Sequence, residues 1–245
     1  MEKFLRLILV LLISFSGCGY NQNIGFRSPE EQFVYIEGQM EISICHKITG
    51  ACLSAGSGKG KASGVLISHH KNKSYYLTAA HVCNVKMESP NASFDTKVEQ
   101  EIHLYNHAGS NNVAKVIATD EKHDICLLES ERVPYIPAVL AKKTPQQHIA
   151  VINVAAPAGL WSKKTMLHFS GEFQGNYKGA HNEYKEEIAI YTIAAQPGSS
   201  GSPVYDPKSG KLIGMITSVI VPSYDIAVGP TLEQINSFIN ANLPS

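Results

Sequence analysis

The sequence has no excess of either charge: its 245 residues include 21 lysines and arginines and 21 aspartates and glutamates. A chain without a net charge has no global electrostatic attraction to nucleic acid or to an anionic membrane, so any partner must be recognised locally. Charged residues are also few, at 17%, whereas 44% of the residues are hydrophobic. This composition excludes a disordered chain and provides the core of one large domain or two small ones.

Long apolar runs are missing apart from one at the N-terminus, over residues 7–15. This run is too short for a permanent membrane span. Basic residues precede it and small residues follow it, and this layout predicts a signal peptide over residues 1–18. The ending FSGC resembles a bacterial lipobox, in which Cys18 becomes the lipidated N-terminus; cleavage after Ser16 or a retained anchor are the alternatives. We therefore expect an exported protein, periplasmic or extracellular, that contacts a membrane only through such a lipid.

Cysteine is scarce, and of the five cysteines only Cys18 lies in the predicted signal. The even number that remains suits disulfide pairing in an oxidising compartment, although sequence alone does not fix connectivity. Cys45 and Cys52 flank HKITGA, whose Thr-Gly can turn a hairpin and bring the two sulfurs together. Cys83 and Cys126 would then form the second pair. Buried free thiols are the alternative.

No internal repeat is present, and short strand-like runs alternate with turn residues along the chain. The first series spans about residues 34–131, and a second series spans about residues 146–230 after a proline-rich connector. An amphipathic pattern over about residues 231–242 predicts a closing helix. Such runs are typical of antiparallel β-structure, so we expect an all-β domain over residues 19–245, with two six-stranded antiparallel barrels and a C-terminal helix.

Nucleophilic catalysis by serine requires a hydroxyl, a base that takes its proton and an anion that orients the base. The first strand series offers His81 in SYYLTAAHVC and Asp124 in EKHDICLLES, and the second offers three serines in QPGSSGSPVY. Small residues before His81 let the backbone pack tightly behind the imidazole, and the apolar strand after Asp124 can shield a carboxylate from water. The glycines of PGSSGSP permit a tight turn, in which the N–H groups of Gly198 and Ser200 are candidates for an oxyanion hole.

In this order, TAAH, HDICLL and GSSGSP resemble the His, Asp and Ser motifs of the chymotrypsin/trypsin superfamily of serine peptidases, and most of all the protease domain of the HtrA family. The resemblance covers about residues 55–240 and implies a double β-barrel with the active site between the barrels. It implies hydrolysis of polypeptides without a cofactor, with Ser200 as the nucleophile, His81 as the base and Asp124 as its orienting anion. The PDZ domain that HtrA proteins usually append is not expected, and the oligomeric state stays open.

The resemblance also implies a set of substrate contacts. Thr217, Ser218 and Val219 should form the strand that pairs with an extended substrate peptide, and Ala194 should lie at the floor of the primary pocket. Because an alanine brings no charge there, small or medium apolar side chains are expected at the cleavage site.

Two departures from the family pattern bear on activity. Ser202 stands where the family usually has glycine, which leaves open the alternative of a catalytically weak or inactive protease-fold binding protein. Cys83 and Cys126 each lie two residues beyond a predicted triad member, so a bond between them would tie the histidine and aspartate segments together.

Other motifs in the chain predict no function. GSGKGKAS lacks the glycine ahead of its Gly-Lys pair and the Ser or Thr directly after it that a phosphate-binding loop requires, because Ala55 and Ala62 stand there. The histidines at positions 69, 70, 103 and 107 have no accompanying carboxylate or cysteine cluster, so no metal site is expected. An esterase would share the triad but usually has an α/β sheet, which the strand-only pattern argues against.

Overall fold

The computed structural model describes residues 28–163, 165–179 and 186–244, and it is built mainly of strands in two halves. The strands of the first half are β1 (Phe33–His46), β2 (Cys52–His70), β3 (Lys73–Thr78), β4 (Phe94–Asn106), β5 (Asn111–Asp120) and β6 (Ile125–Glu131). Those of the second half are β7 (Ile149–Ala155), β8 (Leu167–Tyr177), β9 (Ile188–Tyr191), β10 (Ser202–Asp206), β11 (Lys211–Ile216), β12 (Ser218–Val219) and β13 (Ala227–Pro230). The helices are α1 (Pro29–Gln32), α2 (Ala80–Cys83) and α3 (Leu232–Asn242), with a 3-10 turn over Pro157–Gly159. The predicted signal and Cys18 lie outside the described residues.

The first half is a closed antiparallel barrel in the strand order β1-β2-β3-β6-β5-β4. It closes because β1 pairs with β2 along one edge and with β4 along the other. Side chains alternate between the two faces of each strand, so every second residue points into the barrel. The interior is filled by large apolar side chains, among them Val34, Ile36, Leu66, Tyr76, Leu104 and Leu128.

The hairpin of β1 and β2 continues beyond the barrel. In this outer part, most side chains of β2 are exposed. A register shift between Ile42 and Ser43 lies opposite Gly56, whose φ of +140° favours glycine. The predicted disulfide between Cys45 and Cys52 closes the tip. Because the tip has little apolar surface to bury, this covalent link holds the two strands where a core cannot.

The second half is one curled sheet in the strand order β11-β10-β7-β8-β9-β13-β12. Its two edge strands, β11 and β12, follow each other along the chain with only Thr217 between them, so the sheet must curl back on itself. The edges do not pair, so in place of the predicted second six-stranded barrel the structure has a seven-stranded half-barrel. The short β12 was not expected as a separate strand.

An apolar core fills the space between the two halves and the terminal helix. Outward-facing side chains of the barrel strands meet side chains of the curled sheet and of α3 there. The buried members include Tyr35, Val65, Leu77, Val154, Met215 and Phe238. The two halves are thus packed against each other, and the end of this interface opens into a cleft.

Helix α3 starts with a complete capping box. Thr231 Oγ1 accepts a hydrogen bond from the N–H of Gln234 at 3.2 Å, and the Gln234 side chain accepts from the Thr231 N–H at 2.8 Å. These bonds satisfy backbone donors that an uncapped helix leaves without a partner. Leu232, Ile235 and Phe238 then face the core at helical spacing.

The second predicted disulfide joins Cys83 in α2 to Cys126 in β6, as expected. Disulfides form and persist in oxidising compartments, so the two bridges indicate that the chain folds in such an environment. Within residues 28–163, 165–179 and 186–244, no helix has the length and apolarity to cross a membrane.

We expect the two disulfides to stabilise the fold unequally, because a crosslink constrains the unfolded chain more when it closes a longer loop. The Cys83–Cys126 pair is separated by 43 positions and the Cys45–Cys52 pair by only 7. Replacing the first pair by alanines should lower the free energy of unfolding by about 4 kcal/mol, and replacing the second by about 2.5 kcal/mol, in denaturant titrations. Equal losses from the two double variants would contradict this expectation.

Candidate active site

His81 lies in α2, one helical turn directly after β3. The residues before it, Ala79 and Ala80, are both buried, so this turn packs closely against the barrel. The imidazole lies on the wall of the cleft between the two halves. A larger residue at either alanine would have to displace its close-packed neighbours.

Asp124 directly precedes β6, with a φ of +56°. This left-handed backbone is uncommon outside glycine, but aspartate tolerates it better than most residues. Its Oδ1 accepts a hydrogen bond from the backbone N–H of His81 at 3.0 Å, and its Oδ2 accepts one from Nδ1 of the ring at 2.9 Å. The carboxylate thus fixes both the main chain and the ring of the histidine.

Opposing effects act on the pKa of Asp124. Burial raises this pKa, whereas hydrogen bonds from the side chain and backbone of His81 and from the side chain of Thr217 lower it. The net pKa lies below the ordinary value for aspartate, so the carboxylate is ionised at neutral pH. Thr217 therefore has a second role besides its predicted one, because its side chain supports the anion.

Ser200 completes a hydrogen-bonded row with these two residues, since its Oγ lies 3.0 Å from Nε2 of His81. An ionised Asp124 can only accept hydrogen bonds, so Nδ1 of the neutral ring carries the proton. Nε2 then has a free lone pair and accepts the hydrogen bond from the Ser200 hydroxyl. The structure brings together the three predicted catalytic side chains, two from the barrel and one from the curled sheet.

The turn that carries Ser200 leaves two backbone donors free. Neither the N–H of Gly198 nor that of Ser200 donates to a protein group in the described ranges. The carbonyl of Pro197 accepts a hydrogen bond from the N–H of Ala158 at 2.6 Å, and because a peptide is planar and trans, the N–H of Gly198 points the opposite way. Gly198 has a φ of +100°, and a Cβ there would collide with the carbonyl oxygen of Ala156, so the position requires glycine.

The side chain of Ser202 is fully buried and turned into the second half. Its Oγ accepts a hydrogen bond from Nδ2 of Asn153 at 2.8 Å, and the same Nδ2 donates to the carbonyl of Pro203. The N–H of Ser202 donates to the carbonyl of Ser199 at 3.0 Å, which directs the N–H of Ser200 outward. The serine that departs from the family pattern thus bonds β10 to β7, and it is not part of the cleft wall in the described structure.

A cavity of about 410 Å³ lies beside Ser200 and His81. Its wall combines apolar side chains with the polar groups of the serine turn and of the candidate triad, and the larger apolar members are Pro197, Ile216, Val219, Val221 and Tyr224. Among the described residues, Asp124 is the only aspartate, glutamate, lysine or arginine that lines it, and its carboxylate is bonded to His81.

The structure places Ala195, and not the predicted Ala194, in the wall of this cavity. Neighbouring residues of an extended segment face opposite sides, and the side chain of Ala194 is exposed. The N–H of Ala195 donates to the carbonyl of Tyr224 at 2.9 Å, and this bond joins two residues of the cavity wall.

The predicted substrate strand lies along the same cavity, where Thr217, Ser218 and Val219 all contribute to the wall. Strand β12 ends the curled sheet and pairs with β13 on one side only. The other side of an edge strand presents N–H and C=O groups to which an extended peptide can add.

Comparison with protein families gives a direct match. The trypsin-like peptidase domain matches residues 62–215, more than half of the chain, and this range contains His81, Asp124 and Ser200. The chain belongs to the trypsin-like peptidase family. The superfamily resemblance seen in the sequence is thereby confirmed.

Solved structures similar to this peptidase include the Rv3671c protease from M. tuberculosis in its active form, with a TM-score of 0.61 and 15% identity over 89% of this chain and 83% of that chain. The HtrA-type protease AlgW, solved with a tripeptide, gives a TM-score of 0.63 and 16% identity over 86% of this chain and 60% of that chain. At such identities the likeness shows the fold, and it confirms the chymotrypsin-like class expected from the sequence. Among curated protein sequences, none matches this chain.

The sequence did not indicate the groups of this peptidase that hydrogen-bond to the serine turn from other segments of the chain. Ser63 of β2 contacts the turn through its side chain and backbone, and Ala158 contacts it through its N–H. The one available signal was a serine beside a glycine in the apolar strand ASGVLIS. A backbone donor such as that of Ala158 leaves no mark in the sequence.

The lowered pKa of Asp124 predicts a change of stability at acid pH. A carboxylate whose pKa is lower in the folded than in the unfolded chain, where it is about 3.9, stabilises the fold above that pH and loses this contribution as the pH falls through the folded pKa. Asp124→Asn should therefore lower the thermal midpoint at neutral pH and have much less effect near pH 2. Melting curves of both proteins between about pH 7 and pH 2 measure this difference. A difference that does not vary with pH would contradict the assignment.

Proposed function

We propose that this peptidase is a serine endopeptidase that hydrolyses polypeptides through an acyl-enzyme intermediate. The observation that carries the proposal is the continuous row from Ser200 through His81 to Asp124, with distances of 3.0 Å and 2.9 Å. A nucleophile, a base and an orienting anion within hydrogen-bond reach are what serine catalysis needs.

Acylation begins when Ser200 Oγ attacks the carbonyl carbon of the scissile peptide while Nε2 of His81 takes the hydroxyl proton. The tetrahedral intermediate collapses as the imidazolium gives this proton to the leaving amine, so that the C–N bond breaks and the acyl group stays on Oγ. In the second step, water attacks the ester carbonyl while His81 takes one of its protons. His81 then gives this proton to Ser200 Oγ, so that the ester bond breaks and the serine is free again. Asp124 remains ionised and stabilises the imidazolium during both steps.

The N–H groups of Gly198 and Ser200 form the oxyanion hole of this mechanism. Both are free of protein acceptors among the described residues, which supports this role. Hydrogen bonds from fixed donors strengthen as negative charge develops on the carbonyl oxygen, and one such donor contributes about 3 kcal/mol in known enzymes.

The substrate is an extended polypeptide whose backbone adds to the free side of β12, formed by Ser218 and Val219. This proposal is supported by the edge position of β12 beside Ser200. The side chain before the scissile bond enters this cavity. An uncharged residue is favoured there, because the described lining offers no lysine, arginine or glutamate and its one carboxylate, Asp124, is already paired with His81.

We also infer that the enzyme acts outside the cytoplasm, in a periplasm or extracellular space. The two disulfides support this location. Residues 1–18 contain the signal, which is cleaved before Cys18, and Cys18 is the point of lipid attachment. The intact mass of the natural protein gives the cleavage point and any lipid, and a mature chain that retains residues 1–17 would exclude this processing.

We expect wild-type protein to react with a fluorophosphonate probe and to cleave a denatured protein substrate, whereas Ser200→Ala should do neither. Loss of the nucleophile lowers turnover by roughly 10⁶-fold in serine proteases. Intact mass spectrometry after labelling measures the adduct, and a peptide digest locates it.

Ser202→Ala is the matched control, since Ser202 lies two residues away but faces Asn153. It should keep wild-type labelling and lose about 1 kcal/mol of stability with its hydrogen bond. A folded wild-type protein that does not react would favour the alternative of an inactive binding protein.

We expect cleavage after uncharged apolar residues such as valine, leucine and methionine. Burying an unpaired charge in an apolar cavity is costly, so peptides that differ only in having lysine or glutamate before the scissile bond should have a kcat/KM at least about 100-fold lower. A mass-spectrometric profile of cleaved peptide libraries measures this preference. Efficient cleavage after charged residues would refute it.

A further inference from the structure

Ser63 lies on the outward face of β2, where the barrel meets the turn of Ser200, and it is fully buried. In the register of β1 and β2 it stands opposite Tyr35. A buried hydroxyl must find hydrogen-bond partners, and those of Ser63 all lie on other segments.

All the polar groups of Ser63 are engaged. Its N–H donates to the carbonyl of Ser200 at 2.8 Å, and its hydroxyl donates to the carbonyl of Gly198 at 2.8 Å. The hydroxyl oxygen accepts from the N–H of Ala156 at 3.1 Å, and the Ser63 carbonyl accepts from the Thr78 hydroxyl at 2.8 Å. Since a hydroxyl has one proton and the Ala156 N–H can only donate, the proton of Ser63 must point to Gly198.

Two of these bonds hold the peptides that directly follow the two proposed oxyanion donors, because they engage the carbonyls of Gly198 and Ser200. A glycine rotates easily about its backbone, so the direction of the Gly198 N–H is set by what holds the peptides on either side of it. The carbonyl of Pro197, before Gly198, is held by Ala158 at 2.6 Å, and the carbonyl of Gly198 itself is held by Ser63. The carbonyl of Ser200 is held by the N–H of Ser63.

We propose that Ser63 is a positioning residue, which holds the Gly198 and Ser200 segments of the turn so that their N–H groups point at the developing oxyanion. It touches neither substrate nor reacting atoms, and it acts from the barrel on a turn of the curled sheet. The proposal rests on the serine endopeptidase function proposed above. It predicts that loss of the hydroxyl weakens binding of the tetrahedral intermediate much more than binding of the substrate.

The variant Ser63→Ala should lower kcat for a peptide amide by about tenfold and change KM less than twofold, because the ground state does not depend on the oxyanion hole. Affinity for a peptide boronic acid, which forms a tetrahedral adduct with Ser200, should fall by a similar factor. Affinity for an uncleaved peptide, measured in the Ser200→Ala background, should not change when Ser63→Ala is added. Ser63→Thr keeps the hydroxyl and should retain most of kcat.

Ser74→Ala is the matched structural control. Ser74 is also a fully buried serine on a barrel strand, and its Oγ accepts a hydrogen bond from the N–H of Val133 at 3.0 Å, away from the cleft. Both alanine variants should melt at lower temperature than wild type, but only Ser63→Ala should lose kcat and boronate affinity. If Ser63→Ala is not recovered folded, Ser63→Cys carries the same test, because it fills the same space while its thiol is only a weak donor.

Equal kinetic losses in the Ser63 and Ser74 variants, or a raised KM at unchanged kcat, would overturn the positioning role. So would an unchanged boronate affinity in Ser63→Ala. These outcomes differ from failure of the proposed function, in which the wild-type protein itself neither reacts with fluorophosphonate nor cleaves peptides. If the wild-type protein reacts with fluorophosphonate and cleaves peptides, and Ser63→Ala has the same kcat and boronate affinity, the positioning role is refuted while the proposed function stands.

Discussion

The packing of the two halves against each other is the constraint on which the candidate site depends. His81 and Asp124 belong to the barrel and Ser200 to the curled sheet, so no local segment contains the whole row. The apolar core between the halves sets their distance, and the buried bonds of Ser63 then fix the serine turn relative to the barrel. A shift of about 1 Å at this interface would break the hydrogen bond between Ser200 and His81, because such bonds weaken steeply beyond about 3.2 Å.

Much of this arrangement could be predicted from the sequence because it lies in short local motifs. His81 after two alanines, Asp124 before an apolar strand, and a glycine-rich serine turn each specify a local backbone that puts a side chain at a strand end. Their order along two strand series indicated the fold, and the turn residues between Cys45 and Cys52 indicated one bridge and left Cys83 and Cys126 as the other pair. Local patterns of this kind are reliable because the relevant contacts are made within a few residues.

The remainder could not be predicted because it depends on register and on contacts between distant strands. Whether Ala194 or Ala195 faces the cavity is decided by one residue of register, and a slip of one reverses every side chain on an extended segment. The open, seven-stranded form of the second sheet depends on how far its edges curl. The second role of Thr217, its side-chain bond to Asp124, follows from that curl and has no signature in the sequence.

The bond between Ser202 and Asn153 has an evolutionary consequence. Where the family has glycine at the position of Ser202, no hydroxyl can accept from an amide at the position of Asn153, and a buried donor without its partner is costly. The two positions are therefore expected to covary: a glycine beside the nucleophile favours a smaller or apolar residue on β7, and the asparagine persists together with the serine. Ser202, which departs from the family pattern, is one partner of a hydrogen bond that joins two strands of the sheet.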